Sequence, residues 1–548
     1  MKRGRNYLRF ASKLLGIFGV AGVAAMTGIG FGLNASANND AQWQHRTRLD
    51  APQRMLPLGL GAAVAASETG VIAVGGGHDS DIGVDAGAVA IWNCSVNDVT
   101  AQERITHPKD HRQSAFGQAL AIDPAGSVLC IGTPNEDGVE KDSGKWPDNF
   151  QMGRVYLYMS RSGAGGGAGG GAGNGAGDGA GDGAGSGAGN GAGENSSTRW
   201  KLCATLESPQ PNVGAHFGSV VATDGARVVV GSPDHNSGGF AAGRVDVFIR
   251  RGDLWMHESE LAIPLPISGM RFGTSLAIDA ETIVVGSPSF NGVGAGSGRV
   301  DVFRLKKDGW QHVGRIEAPN PQSSAWFGMS VAISRDILAV GAPRETPFQS
   351  QAFPDHAGVV HLFKRTESES EGEAWQAIFA LTSPHPWCGD LQYRPEAFGM
   401  SLSIRSGTIA VGASESCNPV AAGEDHDEGE GSGAVYLFYP ADVGGTSWDF
   451  GARTGERLTA PDAAFDAHDG YRVALGCARP IAGSEIRSAI PFLVVGRAGN
   501  PDMSPGPGAA NVYWPHARAE PLKWARRVVF RHWLPISSSK ACNDYELD

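Results

Sequence analysis

One hexamer recurs seven times along this chain: at Leu60 (LGAAVA), Phe116 (FGQALA), Phe217 (FGSVVA), Phe272 (FGTSLA), Phe327 (FGMSVA), Phe398 (FGMSLS) and Tyr471 (YRVALG). Three further pieces follow each copy. A β-branched run ends in Gly and usually Pro, as in IVVGSP closing at Pro288 and ILAVGAP closing at Pro343. After a loop comes Gly-x-Val text, such as GRVDVF from Gly243 and Gly298. Last is a segment opening on Trp and closing near Pro, such as Trp255 to Pro264 and Trp310 to Pro319. All four pieces are short, rich in Val, Ile, Phe and Tyr, and bounded by Gly, Pro, Asp or Ser, which predicts strands. A unit of this size cannot bury its apolar face alone, so neighbours must stack. The prediction is an all-β, seven-bladed β-propeller of four-stranded antiparallel blades. Strand A, the hexamer, is the richest in small residues and belongs innermost, with the Trp strand D outermost.

Closure sets a puzzle. Seven hexamers meet eight D-like segments, including Trp43 to Leu49 and Trp524 to Phe530. A ring must join its ends to avoid a free edge. WQHRTRLDAP at Trp43 matches WQHVGRIEAP at Trp310, so the N-terminal strand is expected to complete the last blade. The swapped arrangement, with Trp524 to Phe530 in that place, stays open.

Phe-Gly-x-Ser-(Val/Leu)-Ala followed by Val-Gly-(Ala/Ser)-Pro resembles the FG-GAP repeat, in the form that builds the propeller of integrin α subunits. Phe272 to Pro288 and Phe327 to Pro343 match almost throughout, whereas the copy at Tyr471 has Arg472 in the Gly place. The resemblance implies a non-catalytic binding or adhesion module. Its ligand face would be formed by the B–C and D–A loops, and calcium would sit in Asp-rich A–B loops.

The loops depart from that pattern. The A–B loops (IDPAGS at Ile122, TDGAR at Thr223, IDAETI at Ile278) lack the several carboxylates a calcium site needs. The acids lie instead in B–C loops, with Asp79, Asp81 and Asp85 in the first and Asp425 and Asp427 in the sixth. They suit a cation, calcium included, a basic partner, or solubility alone. The D–A loops offer His216, Trp326, Trp387 and Tyr393 as anchors for a protein or glycan. Cys388 and Cys417 fall on the same face of one blade and are the expected disulfide, while Cys130 and Cys477 read as small core residues.

The ends and one insertion are read by composition. Residues 1–37 have a basic start, an apolar stretch and Ala35-Ser36-Ala37, and predict a signal peptide. An uncleaved anchor is the alternative. Without that leader the net charge moves from −12 to −17, which argues against a nucleic-acid partner. No later segment is apolar enough to span a membrane. The domain plan is therefore a leader (1–37), a propeller (38–530) and a polar tail (531–548). Within blade two, eighteen glycines between Gly163 and Gly193 form a linker-like insertion. No nucleophile elbow, phosphate loop or HExxH is present. The expectation is a secreted, surface or periplasmic binding protein. A metal-dependent hydrolase or lyase and a purely structural envelope protein are the alternatives.

Overall fold

A computed structural model describes residues 43–50, 59–77, 85–95, 98–109, 113–137, 151–160, 199–347, 356–368, 372–384, 396–416, 431–439, 456–461, 468–478, 490–497 and 509–515. Within them, strand β1 (Trp43–Leu49) comes first and six complete blades follow. Blade 1 is β2 (Leu60–Ala66), β3 (Val71–Gly76), β4 (Ala88–Cys94) and β5 (Val99–Thr106). Blade 2 is β6 (Ala119–Ile122), β7 (Val128–Thr133), β8 (Arg154–Ser160) and β9 (Trp200–Leu206). Blade 3 is β10 (Val220–Thr223), β11 (Arg227–Ser232), β12 (Arg244–Arg251) and β13 (Leu254–Glu260). Blade 4 is β14 (Ser275–Asp279), β15 (Thr282–Ser287), β16 (Arg299–Lys306) and β17 (Gly309–Ile316). Blade 5 is β18 (Ser330–Ser334), β19 (Ile337–Ala342), β20 (Val359–Ser368) and β21 (Gly372–Thr382). Blade 6 is β22 (Phe398–Arg405), β23 (Thr408–Ala413), β24 (Ala434–Phe438) and β25 (Glu456–Leu458). Blade 7 comprises β26 (Asp469–Ala478), β27 (Ile490–Arg497) and β28 (Ala509–Pro515), with β1 as its outer strand.

The glycine spacing follows from how blades meet. A Cβ on the B-strand glycine of one blade would strike the carbonyl of the hexamer glycine in the next: Gly75 against Gly117, Gly286 against Gly328, and, closing the ring, Gly496 against Gly61. Only a residue without Cβ permits this backbone approach. The first hexamer residue then ties to the previous blade through its amide, as Phe272 does to the Ala242 carbonyl and Phe327 to that of Ser297. A strands contact A strands all the way round, β26 meeting β2, so the hexamer strand is innermost as expected.

The core lies between blades. Each buried cluster joins two neighbours: Phe116 and Trp200 of blade 2 pack with Val71, Val89 and Ile105 of blade 1. Phe327 and Trp375 of blade 5 pack against Val300 and Ile316 of blade 4. Burying each such side chain contributes about 1.5–3 kcal/mol. Trp43 takes the same role for blade 7, packing with Val435, Leu437 and Leu458 of blade 6. The D strands also share a bulge three residues after the Trp, at Cys203, Glu258, Val313 and Ile378, and Arg46 repeats it in β1. The N-terminal strand is thus a D strand in packing and register, paired Trp43↔Pro515 to Leu49↔Ala510. Residues 524–530 lie outside the described residues.

One sequence expectation needs correcting. The seventh hexamer does not start at Tyr471. Asp469-Gly470 occupies the Phe-Gly place: the Asp469 amide bonds the Ser432 carbonyl, and Gly470 meets Gly412. The copy therefore reads DGYRVA, and Arg472 stands at a Ser position. Where the other copies bury an aromatic or Leu60, Asp469 forms an ion pair with Arg497 at 3.1 Å, both buried. Cys477 also differs from expectation: it is buried and disulfide-bonded, not merely a core filler.

Candidate functional site: the B–C and D–A loop face

Directly before each hexamer stands a residue held in the left-handed region. It is Gly59, Ala115, His216, Arg271, Trp326, Ala397 and His468 in turn. For a non-glycine residue this conformation costs about 1–2 kcal/mol. At Ala115, His216, Arg271, Trp326 and His468 the residue's amide donates to the B–C loop of the preceding blade, at Asp85, Gln151, Ala241, Gly296 and Gly431. Among the described residues these bonds stitch D–A loops to neighbouring B–C loops, so the two loop sets share one face, as the strand count implies.

His216 and Trp326, both expected on this face, occupy these positions. His216 bonds Asp234 through Nδ1 at 3.0 Å and the Gln151 side chain through Nε2 at 3.3 Å. Asp234 also receives Arg271 at 2.6 Å. The His216 hydrogen bond, aided by Arg271 and opposed by partial burial, holds the Asp234 carboxyl below the usual range. Trp326 is half-buried with Arg344 stacked 3.6 Å over its ring, so it packs and presents an edge at once. Asp85 is left-handed and half-buried, with its carbonyl accepting from Ala115. Asp79, Asp81, Trp387, Tyr393, Asp425, Asp427 and the Cys388/Cys417 pair lie outside the described residues.

Sequence reasoning missed an apolar group on this face. Phe240 is 79 % exposed, Val293 74 %, Leu265 67 %, Val213 53 % and Ile267 42 %. The Phe240 carbonyl accepts from Gly269, and Gly238 abuts Pro266, which puts Phe240 beside the Leu265–Ile267 stretch. Periodicity cannot flag them, because they sit in loops rather than on one face of a strand.

Beneath the loops lies a buried polar layer, also unforeseen. In blade 2, Glu136 accepts from Thr133 at 3.0 Å and Tyr156 at 2.9 Å, contacts His107 at 3.1 Å and pairs with Arg154. Burial alone would raise the Glu136 carboxyl, but His107 and Arg154 outweigh it and hold it at about 2. Blade 5 places Glu345 on His361 at 2.8 Å, and blade 6 places Glu396 on Ser416 at 2.9 Å. Blades 3, 4 and 7 pair a D-strand His with a C-strand acid or amide: His257 with Asp246, His312 with Asp301, His45 with Asn511. A recurrent polar residue two places after the motif Pro, as in TPNE and APRE, is the signal that could have revealed part of it.

The described A–B loops do not fit calcium. None gathers more than two carboxylates, and in two of them the Asp closes its own turn: Asp123 accepts from Ser127 and Val128, and Asp224 from Ala226 and Arg227. Among the described residues no group of three His, Cys, Asp or Glu is placed to hold a metal.

Comparison with known proteins matches this architecture. A family model described as FG-GAP repeat matches residues 310–363, from β17 through the fifth hexamer to β20. Human integrin alpha-11 is 29% identical over 176 residues, covering 28% of this chain and 13% of that protein. The chain is an integrin α-like FG-GAP propeller. The FG and GAP pieces of its name are the two halves of the glycine contact that joins blade to blade. The match spans far less than two thirds of the integrin's length. No helix among the described residues of the FG-GAP propeller is long and apolar enough to cross a membrane.

Proposed function

We propose that this propeller is a secreted or surface-exposed, non-catalytic binding and adhesion module, and that the B–C and D–A loop face takes a protein ligand. The observation that carries the reading is the coincidence, on one face, of strained display positions and exposed apolar side chains. Strain of this kind concentrates where the surrounding structure holds a side chain for use. Phe240, Leu265 and Ile267 form an apolar group on the loops that carry the Asp234–Arg271 pair, the anatomy of a protein-binding patch. By loop membership Asp79, Asp81, Asp425, Asp427, Trp387 and Tyr393 extend the same face, with a glycan as the other ligand they could hold.

The test is capture of envelope proteins on immobilised propeller. Phe240→Ser with Ile267→Ser should reduce capture at least tenfold, with no substrate turnover by the parent. Lys307→Ala with Asp308→Ala, in a C–D loop on the opposite face, should leave capture unchanged. Equal capture by both variants would remove the loop face from the function.

A further inference from the structure

Blades 3 and 4 share the text GRVDVF, yet their first arginines meet different fates. Arg244 in blade 3 is saturated: it pairs with Asp246 at 2.8 and 2.7 Å and with Glu260 at 2.6 Å, and it donates to the Gln210 side chain at 3.0 Å. Arg299 in blade 4 bonds Asp301 through Nε at 2.8 Å, and both terminal nitrogens are buried without an acceptor. Its side chain is 0% exposed. Both blade-3 acceptors have been exchanged. The strand position of Glu260, opposite Asp246, is Arg315 in blade 4, opposite Asp301. The loop position of Gln210, directly after Pro209, is Leu265, directly after Pro264.

Blade 2 shows an acid meeting the arginine at this strand position. That acid is Glu136, which pairs with Arg154 and accepts from Thr133. Blades 5 and 6 also bury an acid in this layer, Glu345 on His361 and Glu396 on Ser416, but carry Val359 and Ala434 in place of the arginine. At the Glu136 position blade 4 has Phe290, whose ring lies 4.5 Å under the Arg299 guanidinium and 5.8 Å from that of Arg315. The Ser287 hydroxyl, at the position of Thr133, is buried without a partner. The charged groups around Arg299 are Asp301, which His312 shares at 2.9 Å, together with Arg315 and the exposed Glu317. Burial works against its charge, Asp301 supports it and Arg315 opposes it. A buried guanidinium with unmade hydrogen bonds is costly, and a carboxylate is its natural complement.

We infer that the blade 3–blade 4 junction is a subsite for a carboxylate side chain on an apolar segment of a protein partner. The acid would complete Arg299, and its apolar neighbours would lie on Phe240, Leu265 and Ile267. Phe290, 6% exposed and packed with Leu261, Met270 and Phe272, covers the guanidinium, so entry requires Phe290 to leave that cluster beside the exposed Leu265. This rests on the reading of the face as a protein-binding surface.

The probe is acetyl-Leu-Asp-Leu-amide, compared with its Asn counterpart by ligand-observed NMR on the full chain. The Asp peptide should bind at least tenfold more tightly. Leu265→Gln with Arg315→Glu restores the blade-3 acceptors at exposed positions, so the variant should melt higher and lose at least tenfold in Asp-peptide affinity. Equal affinity of the two peptides, unchanged binding by the double variant, or a lower melting temperature would each overturn the subsite. If neither peptide binds while protein capture persists and responds to Phe240→Ser, the subsite is wrong and the binding face stands. Loss of both removes the reading of the face as well.

Discussion

Glu136 shows how one carboxylate can lock two blades. It lies in blade 2, but His107 reaches it from the loop leaving blade 1. Its folded pKa of about 2 lies below the ordinary 4.5. A depressed carboxyl stabilises the fold fully above its unfolded value, and that contribution fades as pH falls toward about 2. Glu136→Gln should therefore lose about 2–5 kcal/mol at pH 7, since it leaves Arg154 and His107 without their buried partner. The gap between variant and parent in denaturant melts should narrow steadily below pH 4.5. A gap independent of pH would show that the carboxylate charge contributes nothing. The pairing at Asp469 was illegible for a related reason. Tyr471 looks like the hexamer aromatic, but the position that admits no Cβ is Gly470. Anchoring the alignment on glycine rather than on the ring gives the right register.

Among the elements, the inner strands carry the sharpest constraint. Gly286 in β15 faces both the Gly328 carbonyl and the Ser275 hydroxyl. Gly286→Ala must push two blades apart, and should cost at least about 3 kcal/mol through strain and lost packing. Gly314 in β17 has open space where a Cβ would go. Gly314→Ala should be neutral or stabilise by up to about 1 kcal/mol. Thermal melts of the pair separate a junction role from mere strand propensity, and similar losses in both would sink the junction account. The four-strand plan and the inner place of strand A were legible because periodicity and small-residue content report burial directly. The buried polar layer was not. Asp246, Asp301 and Glu345 are buried against partners on other strands of their own blades, His257, His312 and His361, a pairing that no local pattern encodes.

For the whole molecule, closure decides stability. β1 and β28 come from opposite ends of the described chain and pair along their length. Trp43 fills the junction with blade 6 and is 1% exposed. Trp43→Ala should cost about 3–5 kcal/mol, and Trp200→Ala, the matching residue of blade 2, a similar amount. If the ring were held without β1, the Trp43 variant would melt like the parent. The insertion between β8 and β9 leaves blade 2 in register, Ser160 opposite Trp200, so the blade tolerates added chain at that turn. Closing a longer loop adds only about 0.6 kcal/mol per doubling.

By itself the sequence determined the repeat, the blade count, the strand order and the D-strand likeness of Trp43 to Leu49, because these follow from local periodicity and from positions where only glycine fits. Tertiary structure alone decided which loops touch and where His216, Arg271 and Trp326 are held. It also decided that Arg244 is satisfied while Arg299, in the same text, is not. The physical reason is that a blade buries its side chains against its neighbour. The environment of each polar group is therefore set by residues on other strands and loops, and near-identical repeats acquire different chemistry from the partners around them.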